Sequence, residues 1–158
     1  MATSDAAIDT LGEPAVGPWA YTSLAVMLAS MAVWPAFVAW GGVWFTISDA
    51  MGLVFASVTI PVIVGLDGWF SPHSPSLARA ALWVGLSGMV LIGAGSVLLI
   101  AGQVSHEFAP AQGGLGVQIA GYGLWGVWLL LTGELSRRAG TLGRIVPRAG
   151  YTIGVAIV

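Results

Sequence analysis

Asp49 places a carboxylate where the surrounding residues call for hydrocarbon. It lies six residues past Val43, the first of an apolar run, which is about 9 Å along a helix. A charged group at that depth is costly, and membrane proteins keep one where it faces protein or water and serves a proton or an ion. The oxygens that spacing brings near it are those of Thr46, Ser48 and Thr59. Together the four residues form a candidate site for relaying a proton or holding a cation. The competing reading is structural: a shallow carboxylate that meets interfacial water, or a protonated one hydrogen-bonded to a neighbouring helix.

The remaining titratable residues converge less well. Ser105, His106 and Glu107 are consecutive, and a catalytic triad needs a spatial convergence that neighbours in sequence rarely supply. Glu134 precedes Arg137 and Arg138 by three and four positions, the spacing of a helical ion pair and hence of an interfacial anchor. Cysteine is absent, which excludes disulfides, thiolate metal centres and thiol catalysis. No residue set specifies a cofactor, a metal or a catalytic group.

The elements that must hold Asp49 are helices. Four apolar stretches, Trp19–Trp40, Val43–Leu66, Ala80–Gly102 and Gly114–Leu135, each reach the about 20 residues that cross a hydrocarbon core. Charged residues make up 8% of the chain, against about a quarter in soluble domains, so there is too little polar surface for a fold in water. The expected fold is all-α, a polytopic membrane protein forming a left-handed four-helix transmembrane bundle with a partial fifth apolar segment. Residues 1–18 read as a flexible acidic head, 19–135 as the transmembrane domain, and 136–158 as an Arg-rich turn with a partial fifth helix. The lipid bilayer is the first partner. A net charge of −2 gives no basic surface for nucleic acid. The lack of lysine and asparagine beside abundant Ala, Gly and Val fits GC-rich coding and a prokaryotic source.

Orientation follows from the arginines. Arg79 lies between the second and third stretches and Arg137, Arg138, Arg144 and Arg148 follow the fourth, so all fall on one side of four spans, which the positive-inside rule makes cytoplasmic. The protein is then a multi-pass protein of the cell membrane with its N-terminus inside. The connections at Gly41–Gly42 and Gln103–Gly113 lie outside, and Asp67–Ser76 forms a cytoplasmic loop. His73 and His106 are thereby on opposite sides. The head has no cationic region before an apolar core, so no cleaved signal is expected.

Small residues recur along each stretch. Thr22, Ala25, Ala29, Ala32, Ala36 and Ala39 share one face of the first; Asp49, Gly52, Ala56 and Thr59 follow in the second. Ala81, Gly88, Gly95 and Gly102 are spaced by seven in the third, reinforced by Gly85, and Gly116, Gly123, Gly126 and Gly133 form a seam in the fourth. In lipid, where burying apolar surface gains little, such seams let backbones approach and van der Waals contact drive association. Chance in an Ala- and Gly-rich chain is the alternative. Pro35 and Pro61 fall within the first two stretches, where each removes a backbone donor and kinks are expected.

The run Gly114–Arg138, followed by an Arg-Pro turn and Gly150-Tyr-Thr-Ile-Gly, resembles multi-spanning prokaryotic integral membrane proteins of uncharacterised function. The resemblance covers about a third of the chain and implies no activity, but such proteins carry further spans. Ile145–Val158 is apolar and, at about 21 Å as a helix, too short to cross a core of about 30 Å. With Pro147 in a first turn held at the surface by Arg144 and Arg148, Gly150–Val158 reads as the opening half of a fifth span in a longer protein, or else the segment is a short interfacial or re-entrant helix. Three functions remain open: a structural or assembly component packing with a membrane-protein partner or with copies of itself, which leads; ion- or proton-coupled transport of a small solute centred on Asp49; and a lipid-modifying enzyme using His106 or Glu107.

Overall fold

The structure, a computed structural model, describes residues 13–40, 42–106 and 108–140. Four helices account for nearly all of them: α1, Glu13–Trp40; α2, Val43–Phe70; α3, Pro75–Ser105; and α4, Phe108–Ala139. No strand occurs among the described residues. The first part of the expected head, Glu107, and the expected fifth segment lie outside them.

Three helices are long and apolar enough to cross a membrane: α2, α3 and the Gln112–Ala139 part of α4. Over its described side chains α1 carries a shorter apolar run, Pro18–Val33, so three of the four expected spans meet the demand of length and hydropathy. The outward surface of the helices is itself apolar, with Leu28, Val64, Val90 and Val97 all exposed, as a hydrocarbon solvent requires.

Each helix is longer than its apolar stretch. Hydropathy marks the stretch that hydrocarbon surrounds, whereas backbone hydrogen bonding continues into polar flanks, so Asp67 ends up on α2 and Arg79 on α3. The α1 helix starts at Glu13, inside the segment expected to be a flexible head, because a proline such as Pro14 is tolerated in a first turn, where its missing N–H has no partner to lose. Both α1 and α2 run on through Pro35 and Pro61.

The loop between α2 and α3 shrinks to residues 71–74. The backbone N–H groups of His73 and Ser74 both donate to the Phe70 carbonyl, at 3.0 and 3.1 Å, and Pro75 opens α3 where its missing N–H costs nothing. At the other end the chain reverses at Gly42, whose φ of +56° and ψ of −126° belong to a region that side chains disfavour. His106 ends α3 in the left-handed conformation, φ +57°, with its N–H donating to the Gly102 carbonyl.

The helices do not close into a ring. The α3–α4 pair packs most extensively, α2 lies against α3, α4 only grazes α2, and among the described residues α1 packs on α2 alone. The interior has two zones. Toward the 71–74 loop it is filled by large apolar groups, Ile63 and Phe70 of α2 with Met89 of α3 and Trp128 and Leu135 of α4. Toward Gly42 and His106, glycines and polar side chains take over.

Burial tests the small-residue seams helix by helix. Those of α2 and α3 face inward: Gly52 and Ala56, and Ala81, Gly85, Gly88, Gly95 and Gly102, are all buried. In α4 the seam needs correction. Gly126 and Gly133 are buried, but a Cβ on Gly116 or Gly123 would meet nothing within 4 Å. The residues that touch α3 at intervals of seven are Gly114 and Gly121, continued by buried Trp128 and Leu135. A Cβ on Gly121 would lie 2.7 Å from the Ile92 nitrogen and 2.9 Å from the Gly88 carbonyl oxygen. Glycine is so frequent in α4 that it populates several faces, and periodicity alone does not choose among them.

The seam of α1 is also turned away. Ala25, Ala29 and Ala32 are exposed, whereas Ser23, Val26, Met27, Ser30 and Val33 are half-buried, and of the seam only Ala36 shares that state among its described side chains. The reason is polar. Thr59 Oγ1 donates to the Phe55 carbonyl at 2.7 Å, and the Ser23 hydroxyl donates in turn to Thr59 Oγ1 at 2.7 Å, which rotates the serine face of α1 toward α2.

Candidate functional site

Asp49 is 9% exposed and sits at the junction of α2, α3 and α4. Gln103 of α3 donates its Nε2–H to Asp49 Oδ2 at 2.8 Å, and the Thr46 hydroxyl donates to Gln103 Oε1 at 2.6 Å. The second bond fixes the first: with the amide oxygen taken by Thr46, the amide nitrogen is turned to the carboxylate. From α4, Gln118 stands beside the same carboxylate and donates its Nε2–H to Ser96 Oγ of α3 at 3.0 Å. The donors that reach Asp49 among the described residues are thus neutral amides. Among the described residues the ion pairs join Glu134 to Arg137 and Arg138, at the opposite end of the helices.

Gly52, one turn along α2 from Asp49, lets these groups meet. A Cβ there would sit 2.8 Å from Ser96 Oγ, 3.4 Å from Gln118 Nε2 and 3.9 Å from the Tyr122 hydroxyl. Ser96 itself is fully enclosed. The absence of a side chain at 52 therefore makes room for a polar layer drawn from three helices.

The same glycine faces a cleft. Because α1 leans on α2 without reaching α4, a space of about 400 Å³ remains between them. Met27, Ser30 and Met31 form its α1 wall, Ser48, Gly52 and Phe55 its floor on α2, and Tyr122 and Trp125 its α4 wall. Trp125 meets Phe55 edge to face, with ring centroids 5.3 Å apart and planes at 82°. Its indole N–H is buried and finds no hydrogen-bond partner among the described residues.

Of the residues grouped around Asp49 from the sequence, Thr46 joins it through Gln103, and Ser48 looks into the cleft instead. Thr59 lies about 15 Å farther along α2, engaged with Ser23 and the Phe55 carbonyl. The partners that sequence reasoning missed are Gln103, Gln118, Ser96 and Tyr122. A glutamine within an apolar stretch was the available signal, since an amide there seeks a bond across helices. Gln103 was hidden by being read as part of a loop, whereas α3 continues to Ser105.

The histidines do not contribute. His73 lies in the 71–74 loop and His106 at the far end of α3, whose 31 residues span about 46 Å, and both side chains are exposed. Glu134 forms the expected helical ion pair, accepting from Arg137 Nη2 at 2.6 Å and Arg138 Nε at 2.7 Å. No group of three potential metal ligands occurs among the described residues. Comparison with family models, with curated proteins and with solved structures finds no match.

Proposed function

We propose that this chain is a multi-pass protein of the cell membrane that couples movement of a proton or cation to a small solute through Asp49. One observation carries the reading: among the described residues, the donors that hold this buried carboxylate are neutral amides. In a low-dielectric interior such a group stays charged only at high cost, so it takes up a proton or a mobile cation. Among the described residues, Tyr122 of α4 stands one turn away beside Gly52, exposed His106 caps the same end of α3, and the described arginines Arg79, Arg137 and Arg138 stand at the opposite end. The adjoining cleft supplies the place where a solute and that carboxylate share one environment.

Proton movement tests this. Proteoliposomes loaded with a pH-sensitive dye, with a potassium diffusion potential imposed by valinomycin, are expected to change internal pH with the native chain and to stay flat with Asp49→Asn. Equal responses from the two proteins would remove Asp49 from the mechanism.

A second reading, an assembly component that packs with other membrane helices, is favoured by the exposed face of Ala25, Ala29 and Ala32 and by the open side of the helix array. Cysteine placed at Ala29 is then expected to cross-link to a copy or a partner in native membranes; a monomer that never cross-links counts against it. In either case the arginine distribution argues for a cytoplasmic N-terminus.

A further inference from the structure

We propose that the cleft between α1 and α4 binds an organic cation, a small molecule with an apolar or aromatic body and an amine or onium charge. The proposal rests on reading Asp49 as the ion-responsive carboxylate and adds the class of ligand.

The walls supply the first part of the argument. Phe55, Tyr122 and Trp125 present aromatic surface and Met27 and Met31 polarisable thioethers, a lining that accepts an apolar body and whose ring faces attract a cation. A volume of about 400 Å³ lies within the range of small-molecule sites. Charge supplies the second part. None of the lining residues is cationic, and the carboxylate of α2, Asp49, is adjacent in sequence to Ser48 and one turn from Gly52, both of which face the cleft.

Gly52 is the link. It belongs to the cleft floor and touches the polar layer of Ser96, Gln118 and Tyr122, so an onium head seated over it lies against the part of α2 that carries Asp49. Tyr122 lines the cleft and brings its hydroxyl to 3.9 Å from where a Cβ on Gly52 would stand. An anion would be repelled by this arrangement. A lipid tail would make no use of the carboxylate or of the hydroxyls of Ser30, Ser48 and Tyr122.

The test is equilibrium dialysis of radiolabelled tetraphenylphosphonium against the full chain in nanodiscs, with tetraphenylborate as an anion of the same shape. The phosphonium is expected to bind saturably and the borate not. Asp49→Asn should weaken phosphonium binding at least tenfold, about 1.4 kcal/mol. Met31 lines the cleft yet is 62% exposed, so Met31→Trp should abolish binding by filling the space while thermal stability is kept. Absence of saturable binding, equal binding of both ions, or no effect of either substitution overturns the proposal. Asp49-dependent proton movement without phosphonium binding would sink this inference and leave the proposed function standing. Phosphonium binding that requires Asp49, in a protein that moves neither proton nor inorganic cation, would do the reverse.

Discussion

A methyl group built on Gly95 would lie 2.7 Å from both the Cβ and the backbone nitrogen of Gln118. The α3 and α4 backbones are therefore in contact at the level where Gln118 serves Ser96 and Asp49, and helix packing and site geometry are set by one approach. The contact is repeated at Gly88 and Gly121 and at Gly114, where a Cβ would meet the Gly95 carbonyl oxygen at 2.9 Å.

Gly95→Ala is expected to destabilise the protein by about 1–3 kcal/mol, the usual cost of overpacking, because the atoms in the way are backbone and cannot swing aside. Gly116→Ala, where a Cβ meets nothing within 4 Å, should be neutral or slightly stabilising. Thermal unfolding in detergent decides between them, and equal midpoints would show that the α3–α4 contact is looser than described.

Gln103→Leu removes the donor to Asp49 and the acceptor for Thr46 together, and a loss of about 1–3 kcal/mol is expected for a buried polar group left without its partner. Asp49→Asn should cost less, since its amide oxygen still accepts from Gln103. Combined with Thr46→Val, Gln103→Leu should cost less than the sum of the single changes, by about 0.5 kcal/mol or more. Strict additivity would argue that Thr46 does not orient the amide.

His106→Gly should stabilise by about 1 kcal/mol, because the residue occupies a left-handed conformation that disfavours a Cβ. An unfolding midpoint that falls would point to a role for the imidazole beyond ending α3.

The absence of cysteine makes labelling direct. Cysteine at Val104, which is 73% exposed, should react with a membrane-impermeant maleimide on intact cells, and cysteine at His73 only after permeabilisation. The opposite pattern would invert the orientation.

Helix type and approximate position were legible in the sequence because twenty-odd apolar residues in a row leave the backbone no other way to satisfy its hydrogen bonds in lipid. Asp49 was legible for the same reason, as a charge out of place. On α3 the seam of Ala81, Gly88, Gly95 and Gly102 is the buried one, although Ala80, Ser87, Ala94 and Ala101 repeat the same interval of seven on exposed positions, so spacing alone left two faces open and the glycine-rich one turned inward. Two things were hidden. Which faces of α1 and α4 turn inward depends on partners far along the chain, on Thr59 for Ser23 and on Gly88 and Ile92 for Gly121. The amide shell of Asp49 comes from residues 54 and 69 positions downstream, Gln103 and Gln118, and spacing along one helix does not report on a neighbour.

The two sides of the cleft are mechanically unequal. On one side Tyr122 and Trp125 ride on a helix locked to α3 by backbone contact, so their positions are those of a rigid frame. On the other, Met27 and Met31 ride on α1, which is held to α2 through the Ser23–Thr59 hydroxyl pair and half-buried side chains and is joined to it at Gly42. The first helix is therefore the lighter-held jamb of the opening and α4 its fixed post, and the amides of Gln103 and Gln118 belong to the post's side.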